Sequence, residues 1–167
     1  GMAEVIKCAC IADAALLDHL EESSRPDPEK LIAACCRVKA RCIAADERDD
    51  GPRRLLNFGH TFGHAYEALG GYTAYTHGEA VAAGMAQMLR WQIGHGFGGD
   101  FLLARLERLL PRYGLPTVID CDSAALRRFL LRDKKAAGAH ITVVVVERPG
   151  EGRLEEVPLE SLWEDAL

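Results

Sequence analysis

The chain has 167 residues, 49% hydrophobic and 27% charged, which is enough apolar content for one packed core and excludes extended disorder. Its formal net charge of -5, with no basic stripe interleaved with aromatics, excludes a general nucleic-acid binder. The longest apolar run, Ile141 to Val146, is far shorter than the ~18–20 residues of a spanning helix, and no signal-peptide pattern opens the chain.

A cytoplasmic protein without a membrane partner is therefore expected. Its six cysteines (Cys8, Cys10, Cys35, Cys36, Cys42 and Cys121) fall mostly inside helical patterns and form no C-x-x-C pair. They read as reduced, mostly buried thiols rather than a disulfide scaffold or a zinc ribbon.

In chain order, residues 3–22 predict one helix, with Val5, Ile6, Ile11, Leu16, Leu17 and Leu20 as its apolar positions. Asp27-Pro28 is an N-cap followed by proline at the first helical position, opening a second helix to about Asp46. Leu31, Cys35, Val38, Cys42 and Ala45 recur along it, and Asp49-Asp50-Gly51-Pro52 breaks it. Asn57 is read as the cap of a short helix to Leu69, stopped by Gly70-Gly71. Gly78 to Ile93, Asp100 to Arg112, and a segment capped by Asp122 or Ser123 and running through Leu131 complete the helical run. Ile141 to Val146 is β-branched and predicts a strand, and Arg153 to Val157 pairs back with it across Pro149-Gly150-Glu151-Gly152. A last helix is expected from Leu159 to Ala166. The expected fold is mainly α: a single multi-helix domain over residues 1–167, with a small β-hairpin near the C-terminus.

Gly94-His95-Gly96-Phe97-Gly98-Gly99 matches G-x-G-x-x-G. That motif cradles a pyrophosphate only between a strand and a helix N-terminus. A long helix precedes it here, so it is read as a flexible helix–helix connection.

His60 and His64 are four apart in a predicted helix and share a face, with Glu67 one turn further on. His77 opens the next helix. Converging neutral imidazoles suit a metal ion at ~2.0–2.1 Å. For H-x-x-x-H alone, a hydrogen-bonded pair of helix-face histidines is the commoner outcome, and spacing does not say which side chains ligate. His19 and His95 read as surface histidines. Glu4 and Lys7, three apart, read on their own as a surface ion pair. Lys39 shares a predicted apolar face with Ile32, Cys36 and Ile43, so its ammonium either snorkels or faces a cleft suited to an anion. Arg53-Arg54 and Lys134-Lys135 are further basic points, which singly read as solvated charges.

Taken together, these residues become specific. Arg53-Arg54-Leu55-Leu56-Asn57-Phe58-Gly59-His60-Thr61-Phe62-Gly63-His64-Ala65-Tyr66-Glu67, followed by His77-Gly78-Glu79-Ala80, resembles the signature of the 3-dehydroquinate synthases. Gly1-Met2-Ala3-Glu4-Val5-Ile6-Lys7, Lys39 upstream of Asp46-Glu47-Arg48, and Asp133-Lys134-Lys135 follow in the family's order. The resemblance covers roughly residues 1–146 and departs mildly at Cys8 and Ala9, where the family commonly carries tyrosine and glycine.

The resemblance implies zinc or cobalt held by Glu4, His60 and His77, with His64 a substrate-contacting, proton-handling residue rather than a ligand. It places Lys7 and Lys39 around the substrate carboxylate and reacting hydroxyls. Arg53, Asn57, His64 and one of Lys134 or Lys135 fall on the phosphate side. The implied substrate is a small sugar phosphate, 3-deoxy-D-arabino-heptulosonate 7-phosphate, converted to 3-dehydroquinate and phosphate in the shikimate pathway of aromatic amino-acid biosynthesis. The implied cofactor is NAD, bound mainly by an N-terminal nucleotide-binding domain that this chain lacks. The expectation is thus a C-terminal half, inactive alone and homodimeric in its family. Cyclases acting on other sugar phosphates are the enzymatic alternative, although Asn57, His64 and the lysine pair favour the dehydroquinate type. A non-catalytic helical interaction module is the other reading.

Overall fold

The computed structural model describes residues 1–46, 51–134 and 139–164. The described residues form α1 (Met2–Ala12), α2 (Ala14–Glu22), α3 (Pro28–Ala45), a 3-10 helix (Pro52–Asn57), α4 (His60–Leu69), α5 (His77–Gly94), α6 (Asp100–Arg112) and α7 (Ser123–Lys134). Strands β1 (His140–Val146) and β2 (Gly152–Pro158) and a short α8 (Ser161–Glu164) follow. The fold is mainly helical with one antiparallel hairpin near its end, as expected.

The core is built around α5. Ala80, Val81, Ala82, Ala83, Gly84, Met85 and Ala86 are all buried, because small side chains let neighbouring helices approach from several sides. The tightest approach is that of α4. A Cβ on Gly84 would lie 2.1 Å from the Gly59 carbonyl oxygen, and one on Gly63 would lie 3.3 Å from the Val81 backbone. Gly59 has φ +79, and its own Cβ would lie 2.5 Å from the Met85 side chain. The glycines that alternate with His60 and His64 therefore dock α4 on α5 and fix where both histidines project. Trp91 donates its indole N–H to the Ser161 carbonyl at 2.7 Å, holding α8 against α5. On α6, Arg105 reaches Asp18 at 2.6 Å and Glu21 at 2.8 Å, tying that helix to α2. In the hairpin Val143 faces Glu155 and Val146 faces Gly152. Val143 to Val146 are buried on both faces of β1, and the Gly150 N–H donates to the Cys10 carbonyl at 2.7 Å, fastening the hairpin turn to α1.

Several boundaries differ from expectation. The helix over residues 3–22 is two helices. Asp13, at φ -152 and ψ 83, leaves the helical path and its side chain accepts from the Leu16 N–H, so it ends α1 and caps α2 at once. Asn57 does not cap α4; it closes the 3-10 helix, and Gly59 in the left-handed region takes the cap position. That leaves Asn57 ahead of the helix rather than on it. The predicted caps at Asp27 and Gly70 stand, and Asp122 caps α7 through the Ala124 N–H at 2.9 Å. Helix α7 runs past Leu131 to Lys134, and α8 starts at Ser161 rather than Leu159; Asp165 and Ala166 lie outside the described residues.

The Gly94–Gly99 segment links α5 to α6, with φ positive at Gly96, Gly98 and Gly99. It is pinned rather than slack: the Gln92 amide donates to the Gly98 carbonyl at 2.9 Å, and a Cβ on Gly99 would lie 2.2 Å from Gln92 Nε2.

Candidate metal and anion site

Three helices far apart in sequence bring their ends together. Glu4 projects from the first turn of α1, His60 opens α4, and His77 opens α5. One ligand atom from each lies within 4.8 Å of the other two, the only such group of His, Cys, Asp and Glu among the described residues. Donors around a zinc ion at ~2.0–2.1 Å stand about 3.4 Å apart, so modest side-chain rotation closes this triad on a divalent cation. One carboxylate and two imidazoles form a borderline oxygen and nitrogen donor set, which fits zinc or cobalt.

The two imidazoles are held alike. His60 Nδ1 lies 3.2 Å from the Phe58 carbonyl oxygen, which can only accept, so Nδ1 carries the proton and the Nε2 lone pair is free. That Nε2 faces Glu4 Oε1 at 3.9 Å. Burial, helped by the Lys7 charge, lowers the His60 pKa to about 4, so the ring is neutral and able to coordinate near neutral pH. His77 Nδ1 lies 3.2 Å from Glu67 Oε1.

Two ammonium groups converge on the same carboxylate. Lys7 Nζ lies 2.7 Å from Glu4 Oε1 and Lys39 Nζ lies 3.5 Å from Glu4 Oε2. Burial alone would raise the Glu4 pKa, but the Lys7 hydrogen bond and charge, with His60 and Lys39, outweigh it and hold the carboxyl below its ordinary value. Burial lowers the Lys7 pKa against the opposing pull of Glu4.

The pair is not a surface ion pair: Lys7 is 2% exposed, because α1 is covered by α3, α5 and the hairpin. The reading of Lys39 also changes. Ile32 and Ile43 are 63% and 45% exposed, so the face it shares is not buried. Leu31, Ala34, Val38 and Cys42 form the buried stripe instead, and Lys39 lies beside it, turned toward Glu4.

His64 is exposed, with its ring centroid 5.3 Å from that of His60 and 6.4 Å from that of His77. The cluster thus gathers Glu4, Lys7, Lys39, His60, His64 and His77. Arg53 and Asn57 lie on the 3-10 helix that leads into α4, Arg53 half-buried and Asn57 exposed. Asp46 anchors that helix by accepting from the Gly51 N–H at 2.7 Å and the Arg53 N–H at 3.3 Å. Arg54 donates to Thr142 Oγ1 at 3.3 Å, joining the 3-10 helix to β1. Lys134 ends α7, and its side chain and the whole of Lys135 lie outside the described residues.

Sequence reasoning gave no role to Glu67 or to the Phe58 carbonyl. Glu67 shares the His60–His64 face, which was a usable signal; a backbone carbonyl leaves none. Glu79, beside His77 in sequence, is engaged elsewhere: its carboxylate accepts from the Thr76 N–H at 2.8 Å and the Thr76 hydroxyl at 2.7 Å in a capping box.

Residues 1–136 match the family model described as 3-dehydroquinate synthase C-terminal. Among curated relatives, a 3-dehydroquinate synthase of Lactococcus lactis subsp. cremoris (strain MG1363) is 39% identical over 172 residues, covering 98% of this chain and 48% of the relative. The 3-dehydroquinate synthase of Halorhodospira halophila (strain DSM 244 / SL1) is 42% identical over 159 residues, covering 90% of this chain and 45% of the relative. The chain thus spans about half the length of the curated relatives it matches.

Among solved structures, a 2-deoxy-scyllo-inosose synthase complexed with carbaglucose-6-phosphate, NAD+ and Co2+ superposes with a TM-score of 0.78 at 21% identity, covering 99% of this chain and 50% of that one. A 2-epi-5-epi-valiolone synthase from Streptomyces hygroscopicus subsp. jinggangensis 5008, with NAD+ and Zn2+ bound, gives 0.77 at 22% identity, covering 99% and 48%. At such identities the likeness is one of fold.

Proposed function

The chain belongs to the 3-dehydroquinate synthase C-terminal family, and on that premise we propose that residues 1–167 act as the helical metal- and substrate-binding domain of a 3-dehydroquinate synthase. Its reaction is the conversion of 3-deoxy-D-arabino-heptulosonate 7-phosphate to 3-dehydroquinate and phosphate, and it works with a nucleotide-binding domain that holds most of the NAD. The observation that carries this reading is the convergence of Glu4, His60 and His77 beside the ammonium groups of Lys7 and Lys39.

When bound, a divalent cation supplies Lewis-acid polarisation of substrate hydroxyls, and NAD supplies a reversible hydride acceptor. Glu4, His60 and His77 would hold the cation beside the space where the substrate binds. Lys7 and Lys39 already pair with a carboxylate, Glu4, and they orient the substrate carboxylate and reacting hydroxyls in the same way. His64, exposed at the edge of the cluster, exchanges protons at its ring nitrogens during phosphate loss. Arg53, Asn57 and one of Lys134 or Lys135 steady the phosphate as it leaves.

The chemistry asked of these groups is self-consistent. Oxidation of a substrate hydroxyl by NAD would acidify the proton on the adjacent carbon; His64 would handle the proton, and Arg53, Asn57 and one of Lys134 or Lys135 would hold the departing phosphate.

The test uses the full chain with zinc and NAD, alone and with the separately expressed nucleotide-binding half of the Lactococcus relative. Phosphate release from the heptulosonate phosphate is expected only in the mixture, and His64→Ala is expected to lower it by about 10²–10⁴-fold. Turnover by the chain alone would refute the need for the second half. Turnover of another sugar phosphate but not this one would assign a different cyclase, and none with any substrate would leave the interaction-module reading.

A further inference from the structure

His77 is the least supported member of the triad. Its side chain is 50% exposed, against 14% for His60, and it stands at the first position of α5, with its ring edge-on to that of His60 at 5.3 Å between centroids. A ring so placed is free to rotate unless something fixes it. Among the described residues it hydrogen-bonds to Glu67, at 3.2 Å from Nδ1 to Oε1.

Glu67 is well placed for that work. It lies in the last turn of α4 with its side chain largely buried, so its own position is fixed by packing. The chain reverses directly after it through Gly71 at φ +61 and Tyr72 at φ +59, and the Tyr72 N–H donates to the Glu67 carbonyl at 2.7 Å. The start of α5 is fixed independently by the Thr76–Glu79 capping box, so both ends of the Glu67–His77 contact are anchored. Glu79, beside His77 in sequence, is engaged with Thr76, and it is Glu67 that meets this imidazole at Nδ1.

We propose that Glu67 is a positioning residue of the metal site: it accepts the Nδ1 proton of His77 and turns the Nε2 lone pair toward the cation shared with Glu4 and His60. A neutral imidazole has one N–H and one lone pair, and a carboxylate acceptor at Nδ1 leaves the lone pair at Nε2. The carboxylate also raises the donor strength of the ring, as outer-shell acceptors of metal-bound histidines do. His60 obtains the same orientation from the Phe58 carbonyl, which no side-chain substitution can remove. Glu67 is the member of this pair of supports that mutation can test.

The inference rests on the metal reading above, so the experiment separates the two. The full chain is titrated with zinc in competition with a chromophoric chelator, in wild type, His77→Ala, Glu67→Gln and Glu67→Leu. The tautomer of His77 is read by long-range ¹⁵N–¹H NMR on metal-free protein. Wild type is expected to show the Nδ1–H tautomer, and Glu67→Leu to shift His77 toward the Nε2–H form. Zinc affinity is expected to fall about 10-fold in Glu67→Gln and about 100-fold in Glu67→Leu. The cobalt visible spectrum of both variants should change alongside. A purely structural role would lower the melting temperature while leaving tautomer and affinity alone, and that result overturns the proposal. Unchanged affinity in Glu67→Gln overturns it too, should Glu67→Leu fail to fold. Equal zinc binding by wild type and His77→Ala would instead remove His77 from the site and overturn the metal reading itself.

Discussion

Gln92 is fully buried on α5, and its amide meets three backbone groups at once. Nε2 donates to the Gly98 and Val146 carbonyls, each at 2.9 Å, while Oε1 accepts from the Val146 N–H at 3.0 Å. One side chain thus satisfies the end of β1 and the helix–helix turn together. Gln92→Leu keeps the volume but strands these groups, each costing roughly 1–3 kcal/mol when buried unpaired. The expected loss is about 3 kcal/mol in chemical denaturation, with an unchanged m-value. A loss under about 0.5 kcal/mol would mean that water reaches this corner and takes over the hydrogen bonds.

At the scale of elements, the site depends on how closely α4 approaches α5. Gly84→Ala places a Cβ 2.1 Å from the Gly59 carbonyl, a backbone atom that cannot yield without moving a helix. It is expected to cost about 1–3 kcal/mol or more and to weaken metal binding, because His60 moves with α4. Gly78→Ala, in the same helix, would meet nothing closer than the Ala3 side chain at 3.7 Å. It is expected to be neutral or to stabilise by up to about 1 kcal/mol. Thermal melts of the two variants side by side check the contrast; a Gly84→Ala protein as stable as Gly78→Ala would show that the seam does not depend on the missing Cβ.

Elements of this kind were legible in the sequence wherever a local signal fixes them. Asp27-Pro28 marks a helix start through the aspartate side chain, which accepts from the Glu29 N–H, and the fixed φ of proline; Gly70-Gly71 marks a helix end, with Gly71 at φ +61, and the β-branched run from Ile141 to Val146 marks β1. The break at Asp13 carries no glycine or proline; it arises because one aspartate serves two helices. The burial of Lys7 was hidden for a different reason. Its cover comes from α3, α5 and the hairpin, all remote in sequence, and no local pattern reports them. Likewise the pairing of His60 with His64 reads from spacing, but the choice of His77 and Glu4 as partners entered only through family resemblance.

For the whole molecule, the consequence is that a single cation would join α1, α4 and α5, and with them the start of the chain to its centre. Binding of this kind stabilises the folded state by mass action. At a zinc concentration about 100 times the dissociation constant the gain is roughly 2.7 kcal/mol, or about 5–10 °C in melting temperature for a chain of this size. Unfolded chain offers six cysteines that also bind zinc, which lowers the shift in every variant alike. The comparison that matters is therefore the difference between wild type and His60→Ala or His77→Ala, measured with zinc and again after chelation. Wild type should lose several degrees on chelation while the variants lose little. If all three proteins respond equally, the cation sits elsewhere, and the convergence of these helix ends is packing without ligation.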